Sequence, residues 1–113
     1  MITIYHNSRC SKSREGLCLL EDLGKDIKVV NYLQDQLSYE ELSKIIEILG
    51  IAPIDLVRTK EVIWKENFKD KILSDKEIIE AMVLHPKLIE RPIVINEGKG
   101  VIGRPTELIN TII

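Results

Sequence analysis

The sequence predicts a single α/β domain on a mixed four-stranded sheet, with elements in the order β-α-β, then helices, then β-β-α. Three observations predict it. An apolar segment of strand length, "ITIYH" (2–6), leads into a helical stretch and then a second apolar segment, "DIKVVNY" (26–32). Two late segments, "PIVIN" (92–96) and "VIG" (101–103), flank the turn "EGKG" (97–100). Between them, residues 38–86 carry helical spacing. A strand–helix–strand unit requires a parallel pair with a right-handed crossover, and a hairpin requires an antiparallel one, so the sheet is mixed.

The first helix runs from Ser11 to Leu23 and closes with Gly24 in the C′ position. Ser38, with Glu41 three residues later, forms a capping box ahead of Leu42, Ile45, Ile46 and Leu49, which share one helical face until Gly50. Pro53 opens one or two helical turns, "PIDLVR". The polar stretch around Trp64 and Phe68 reads as irregular. Ser74 and Glu77 repeat the capping box ahead of Ile78, Ile79, Met82 and Val83, and His85-Pro86 stops that helix because a residue before proline avoids the α region. Thr106 to Ile113 reads as a last helix with Leu108, Ile109, Ile112 and Ile113 facing inward. This is the plan of thioredoxin-like folds, with residues 38–86 as a helical insertion into one domain spanning 1–113.

Composition narrows the function. Forty-four per cent apolar and thirty per cent charged residues describe a soluble globular protein, with no span for a membrane. The net charge of −2 lacks the basic excess that gripping a nucleic acid requires, so any anion recognised is small and bound locally. The opening "MITIYH" has none of the features of a secretory signal, and the expected location is cytoplasmic. Two cysteines, Cys10 and Cys18, make no disulfide framework; on one helix their Cα atoms would lie about 12 Å apart, too far to bridge. Cys18, flanked by leucines, reads as a packed helix residue and not as a resolving thiol.

Cys10 sits in "YHNSRCSKSR", at the join of the first strand and the first helix. A cysteine in such a protein is commonly a small buried hydrophobe. Here, however, the unpaired N–H groups and positive dipole end of the helix favour a thiolate, and Arg9, Lys12 and Arg14 add charge nearby. Lowering a cysteine pKa from ~8.5 to ~6.5 raises the thiolate fraction at pH 7 from roughly 3% to roughly 75%. His6 is either a strand-end residue or a group that tunes the thiol. The residue six after Cys10 is Gly16, which excludes the Cys-x5-Arg loop of a tyrosine phosphatase. The residue three after it is Ser13, which excludes a Cys-x-x-Cys dithiol, so any adduct on Cys10 needs an external thiol. No Cys/His cluster has metal-ligand spacing and no glycine-rich run suits a nucleotide.

Arg58, Arg91 and Arg104 stand out by context, after Pro53, before Pro92 and before Pro105. In a thioredoxin-like arrangement the segment before the third strand comes beside the N-terminus of the first helix, so Arg91 should face Cys10. Guanidinium groups present planar pairs of donors that match tetrahedral oxyanions.

The stretches "YHNSRCSKSR", "LVRTKE", "HPKLIERPIVI" and "GRPTEL" together resemble the glutaredoxin-coupled arsenate reductases, in the same order and at similar spacing over nearly the whole chain. The resemblance implies a thioredoxin-like fold and arsenate reduction, with Cys10 as the nucleophile that forms a covalent thiol–arsenate adduct. It implies Arg58, Arg91 and Arg104 as the anion-binding arginines, with His6, Asn7, Ser13 and Arg14 in support and Pro92 as a cis-proline beside the site. Glutathione, a co-substrate, would attack the adduct and leave with arsenite bound, and a glutaredoxin would reduce the mixed disulfide. No metal and no tightly bound cofactor are implied. Two other readings stand beside this one: a glutathione-dependent thiol oxidoreductase acting on other substrates, and a regulator resembling the Spx-type proteins that bind RNA polymerase. Ser13 stands where that regulator's second cysteine would be.

Overall fold

Ile2 and Ile4 alternate with Thr3 and Tyr5, and this period of two makes β1 (Ile2–Tyr5), which buries Ile2 and Ile4 and turns its other residues outward. A computed structural model describes residues 1–113 and divides them into two units, Met1–Asp35 with Arg91–Ile113, and Gln36–Glu90.

In the first unit β1 pairs in parallel with β2 (Ile27–Val30) and antiparallel with β3 (Ile93–Asn96), which in turn pairs antiparallel with β4 (Lys99–Ile102). The order β2-β1-β3-β4 is the mixed four-stranded sheet that the element order predicts. The β1–β2 crossover is α1 (Ser11–Asp22), with Cys10 as N-cap and Leu23 as C-cap. Ile2, Ile4, Leu20, Val94 and Ile109 form the core of this unit, flanked by Leu17, Leu19, Ile27, Val101 and Ile112.

Three local expectations change here. Asn96 pairs directly with Lys99, so the hairpin turn is Glu97-Gly98 alone, both with positive φ (50° and 79°), as a tight primed turn requires. The last helix, Thr106–Ile112, is a 3-10 helix. At three residues per turn its side chains do not share one broad inward face. Ile109 is fully buried, whereas Leu108 and Ile113 are 40% exposed. Cys18 is exposed, contrary to its reading as a packed residue. The buried stripe of α1 is Ser13, Gly16 and Leu20, and Cys18, two residues beyond Gly16, lies about 200° around the helix from it.

The second unit is helical. Ser38 caps α2 (Tyr39–Leu49): its hydroxyl accepts from the Glu41 N–H at 3.1 Å, and the Glu41 carboxylate accepts from the Ser38 N–H at 3.1 Å. The same reciprocal pair, Ser74 and Glu77, opens α4 (Asp75–Leu84). Leu42, Ile45, Leu56, Ile78, Met82 and Leu88 are buried in this unit. The stretch expected to be irregular contains a short helix, α3 (Val62–Asn67), whose buried Trp64 stacks on Phe68 at a ring separation of 5.3 Å. That aromatic contact gives a polar segment an anchor. "PIDL" forms a single 3-10 turn (Pro53–Leu56), and Val57 forms an isolated antiparallel bridge with Ile89.

Candidate active site

The loop from His6 to Cys10 is shaped by its own short polar groups. The Asn7 carbonyl accepts from the Cys10 N–H at 3.0 Å, and its side-chain oxygen accepts from the Arg9 N–H at 3.0 Å, an Asx-type turn that aims the chain into α1. Arg14 reaches back from the first turn of the helix and donates to the Ser8 carbonyl at 2.9 Å. Cys10 then takes extended dihedrals (φ −95°, ψ 123°) as the N-cap, and its carbonyl accepts the first helical bond, from the Arg14 N–H.

Beneath this loop lies a buried polar trio. Ser13 is fully buried, and its hydroxyl oxygen accepts from the Asn7 N–H at 3.0 Å and lies 2.6 Å from His6 Nδ1. The Ser13 hydroxyl therefore links the His6 ring to the Asn7 backbone. Burial, followed by the Arg14 charge, lowers the His6 pKa, so the ring is neutral at pH 7.

Cys10 is only partly buried, and its pKa is lowered to about 7. Burial alone would push the thiol up. The Ser13 backbone N–H, then the Arg91 and Arg104 guanidinium groups, outweigh that and favour the thiolate. Arg104 makes the most explicit contact: Nη2 donates to Cys10 Sγ at 3.4 Å, while Nε donates to the Arg91 carbonyl at 2.8 Å. One guanidinium therefore ties the thiol to the chain that precedes β3. The Arg91–Pro92 bond is cis, and so is Arg104–Pro105.

The first unit thus gathers Cys10, Arg91, Arg104, His6, Asn7, Ser13, Arg14 and Pro92. Of the cations in the first turn of α1, Lys12 is exposed and pairs with Glu15 at 3.5 Å, and Arg14 donates back to the Ser8 carbonyl. Arg58 belongs to the second unit. There Nη1 donates to Glu90 at 2.9 Å and Nε lies 3.5 Å from Glu61, which makes a carboxylate–guanidinium–carboxylate group that sequence reading did not single out. Glu61 sits three residues after Arg58, a spacing that could have signalled the nearer-sequence partner; Glu90, 32 residues away, gave no signal.

No set of three or more histidine, cysteine, aspartate or glutamate side chains is placed to hold a metal ion, and no helix is long and apolar enough to cross a membrane.

A β-α-β unit followed by an antiparallel hairpin, with a cysteine of lowered pKa in the N-cap position of the first helix, defines a thioredoxin-like protein. More specifically, the chain belongs to the ArsC family, which it matches over residues 5–112. It is 46% identical over 114 residues to the uncharacterized protein YfgD of Escherichia coli (strain K12), covering 99% of this chain and 96% of that one. It is also 46% identical over 110 residues to an arsenate reductase of Haemophilus influenzae, covering 96% of this chain and 95% of that one. The solved structure of an arsenate reductase from Vibrio cholerae superposes with a TM-score of 0.94 at 46% identity, covering 99% of this chain and 97% of that chain.

Proposed function

We propose that this protein reduces arsenate to arsenite, with Cys10 as the nucleophile and thiols as the source of electrons. The observation that carries the reading is the Cys10 sulfur held by Arg104 Nη2 at 3.4 Å with Arg91 beside it. A sulfur of pKa about 7 is substantially thiolate at neutral pH. Two guanidinium groups next to it offer paired donors for the oxygens of a tetrahedral anion. The arsenate reductases among its relatives supply the particular anion.

The Cys10 thiolate attacks arsenic(V), an oxygen leaves as water after taking up protons, and a sulfur–arsenic bond forms. Glutathione thiolate then attacks the Cys10 sulfur, so that glutathione stays on Cys10 and does not, as the resemblance alone implied, leave with the arsenite. The sulfur–arsenic bond breaks with its electron pair on arsenic, which leaves as arsenite, and Cys10 remains as a mixed disulfide with glutathione. A glutaredoxin thiol reduces that disulfide and restores Cys10. The balance is one arsenate and two thiols giving arsenite, one disulfide and water. The external thiol is needed because Cys18, exposed and hydrogen-bonded to Asp22, lies two turns along α1 and has a raised pKa owing first to that aspartate's charge.

In this reading Arg91 and Arg104 hold the oxyanion, and Arg58 joins them on the strength of the family resemblance. Asn7 and Arg14 shape the loop, Ser13 and neutral His6 support it from below, and Pro92 sets the turn beside the thiol. No metal and no tightly bound cofactor take part.

The test is arsenate-dependent NADPH consumption with glutathione, glutaredoxin and glutathione reductase, beside the Cys10→Ser variant. Wild-type turnover that needs arsenate and is lost in the variant is expected. A wild type that cleaves glutathionylated disulfides but never turns over arsenate would overturn the substrate assignment. Replacing Arg58, Arg91 or Arg104 by alanine removes charge-assisted bonds worth about 1.5–3 kcal/mol, so the KM for arsenate should rise tenfold or more in each. An unchanged KM in the Arg58→Ala variant alone would remove that residue from the site.

A further inference from the structure

The two arginines that hold Cys10 each adjoin a residue packed into one tight contact. Pro92 follows Arg91, and Gly103 precedes Arg104; the Gly103 N–H donates to the Pro92 carbonyl at 2.8 Å. On its other side the Pro92 ring meets Gly16, in the second turn of the helix that Cys10 caps. A Cβ at Gly16 would lie 2.9 Å from Pro92 Cγ and 3.2 Å from Ile109 Cδ1. At Gly103 it would lie 3.0 Å from the same Pro92 Cγ and 3.1 Å from the same Ile109 Cδ1. The proline ring is therefore clasped between two bare backbones, with fully buried Ile109 closing the third side.

Neither glycine is there for its dihedrals, since positive φ is confined to Gly24, Gly50 and Gly98 among the glycines. In a helix interior glycine costs up to about 1 kcal/mol relative to alanine. Gly16 bears that cost where close approach requires it.

We propose that Gly16 and Gly103 are positioning residues for the nucleophile: by admitting the Pro92 ring between them, they set the distance from the Cys10 sulfur to the Arg91 and Arg104 guanidinium groups. A methyl at either position pushes Pro92 away from α1 or β4, and the adjoining arginine moves with it. Charge-assisted contacts at 3.4 Å weaken over a few tenths of an ångström, and the thiolate loses stabilisation. The proposal rests on Cys10 as the reactive group, but its readout needs no arsenate, so it and the substrate assignment fail separately.

The experiment is the pH dependence of Cys10 alkylation by iodoacetamide in Gly16→Ala and Gly103→Ala, on a Cys18→Ser background so that one thiol reports. Gly24→Ala is the control: Gly24 has φ +67° and nothing within 4 Å of an added Cβ, so alanine there strains the backbone without touching the clasp. Both clasp variants should titrate higher than the parent. A rise from about 7 to about 8 would cut the thiolate at pH 7 from one half to about a tenth, and the alkylation rate at that pH about fivefold. The control should lose stability in urea with its titration unmoved. If a clasp variant does not fold, Ile109→Val added to it removes the Cδ1 atom that the new methyl meets and leaves the Pro92 contact in place. Folded clasp variants with the parental titration overturn the proposal. Failure of every clasp variant to fold, with or without Ile109→Val, overturns it equally, because the close approach would then serve the core and not the thiolate.

Discussion

Ser13 shows how much one small side chain can hold. Its hydroxyl is the partner of both His6 Nδ1 and the Asn7 N–H in a fully buried setting, and its backbone N–H is the largest of the influences lowering the Cys10 pKa. Ser13→Ala strands two buried polar groups while keeping the backbone amide, and such orphaned groups cost about 1–3 kcal/mol each. The variant should lose that order of stability in urea denaturation yet keep a thiol titration close to that of wild type. Arg104→Ala should do the reverse: the alkylation midpoint of Cys10 rises from about 7, because a donor to the thiolate at 3.4 Å is gone. Reading the sequence places Cys10 and Arg91 correctly, because a strand-to-helix junction and the segment before β3 are both topological addresses. It credits Arg9, Lys12 and Arg14 with charge near the thiol, yet Lys12 pairs with Glu15 and Arg14 with the Ser8 carbonyl. Side-chain direction, not sequence distance, decides which cation serves.

Among the elements, those whose ends are written in local chemistry were legible. Ser38 with Glu41 and Ser74 with Glu77 form complete capping boxes, and removing either serine exposes a backbone N–H that nothing else caps. Ser38→Ala and Ser74→Ala should each cost about 1 kcal/mol, read as a shift of the urea midpoint. The Glu77 carboxyl is exposed, and its pKa is lowered first by the Ser74 backbone N–H. Elements defined by a contact were not legible. The helix α3 rests on Trp64 against Phe68, and the last helix is wound as 3-10, which buries Ile109 and leaves Leu108 outside. Apolar spacing at 108, 109, 112 and 113 suits an α-helix equally well, and only packing distinguishes the two windings.

At the scale of the whole molecule, the lowered thiol pKa couples stability to pH. Cys10 has a folded pKa of about 7, below the roughly 8.5 of an unfolded thiol. Its contribution is fully present above the unfolded value and is lost as pH falls through the folded one. Wild type should therefore gain stability over Cys10→Ser between about pH 7 and about pH 8.5, and the difference between their urea midpoints should be flat below that window. A difference that shrank with rising pH would mean that the thiolate is destabilised by the fold. The sequence by itself determined the mixed sheet, the crossover helix, the capped helices of the second unit, the family and the position of the thiol. The elements and the position of the thiol follow from hydrophobic period and turn chemistry, which act within a few residues, and the family from the resemblance that its motifs carry along the chain. Only the tertiary structure decided that Arg104 would bridge the thiol and the Arg91 carbonyl, that Glu90 and Glu61 would hold Arg58, and that two glycines would clasp Pro92. Most of those contacts join residues far apart in the chain and depend on gaps of a few tenths of an ångström, a scale on which local sequence pattern is silent and packing is decisive.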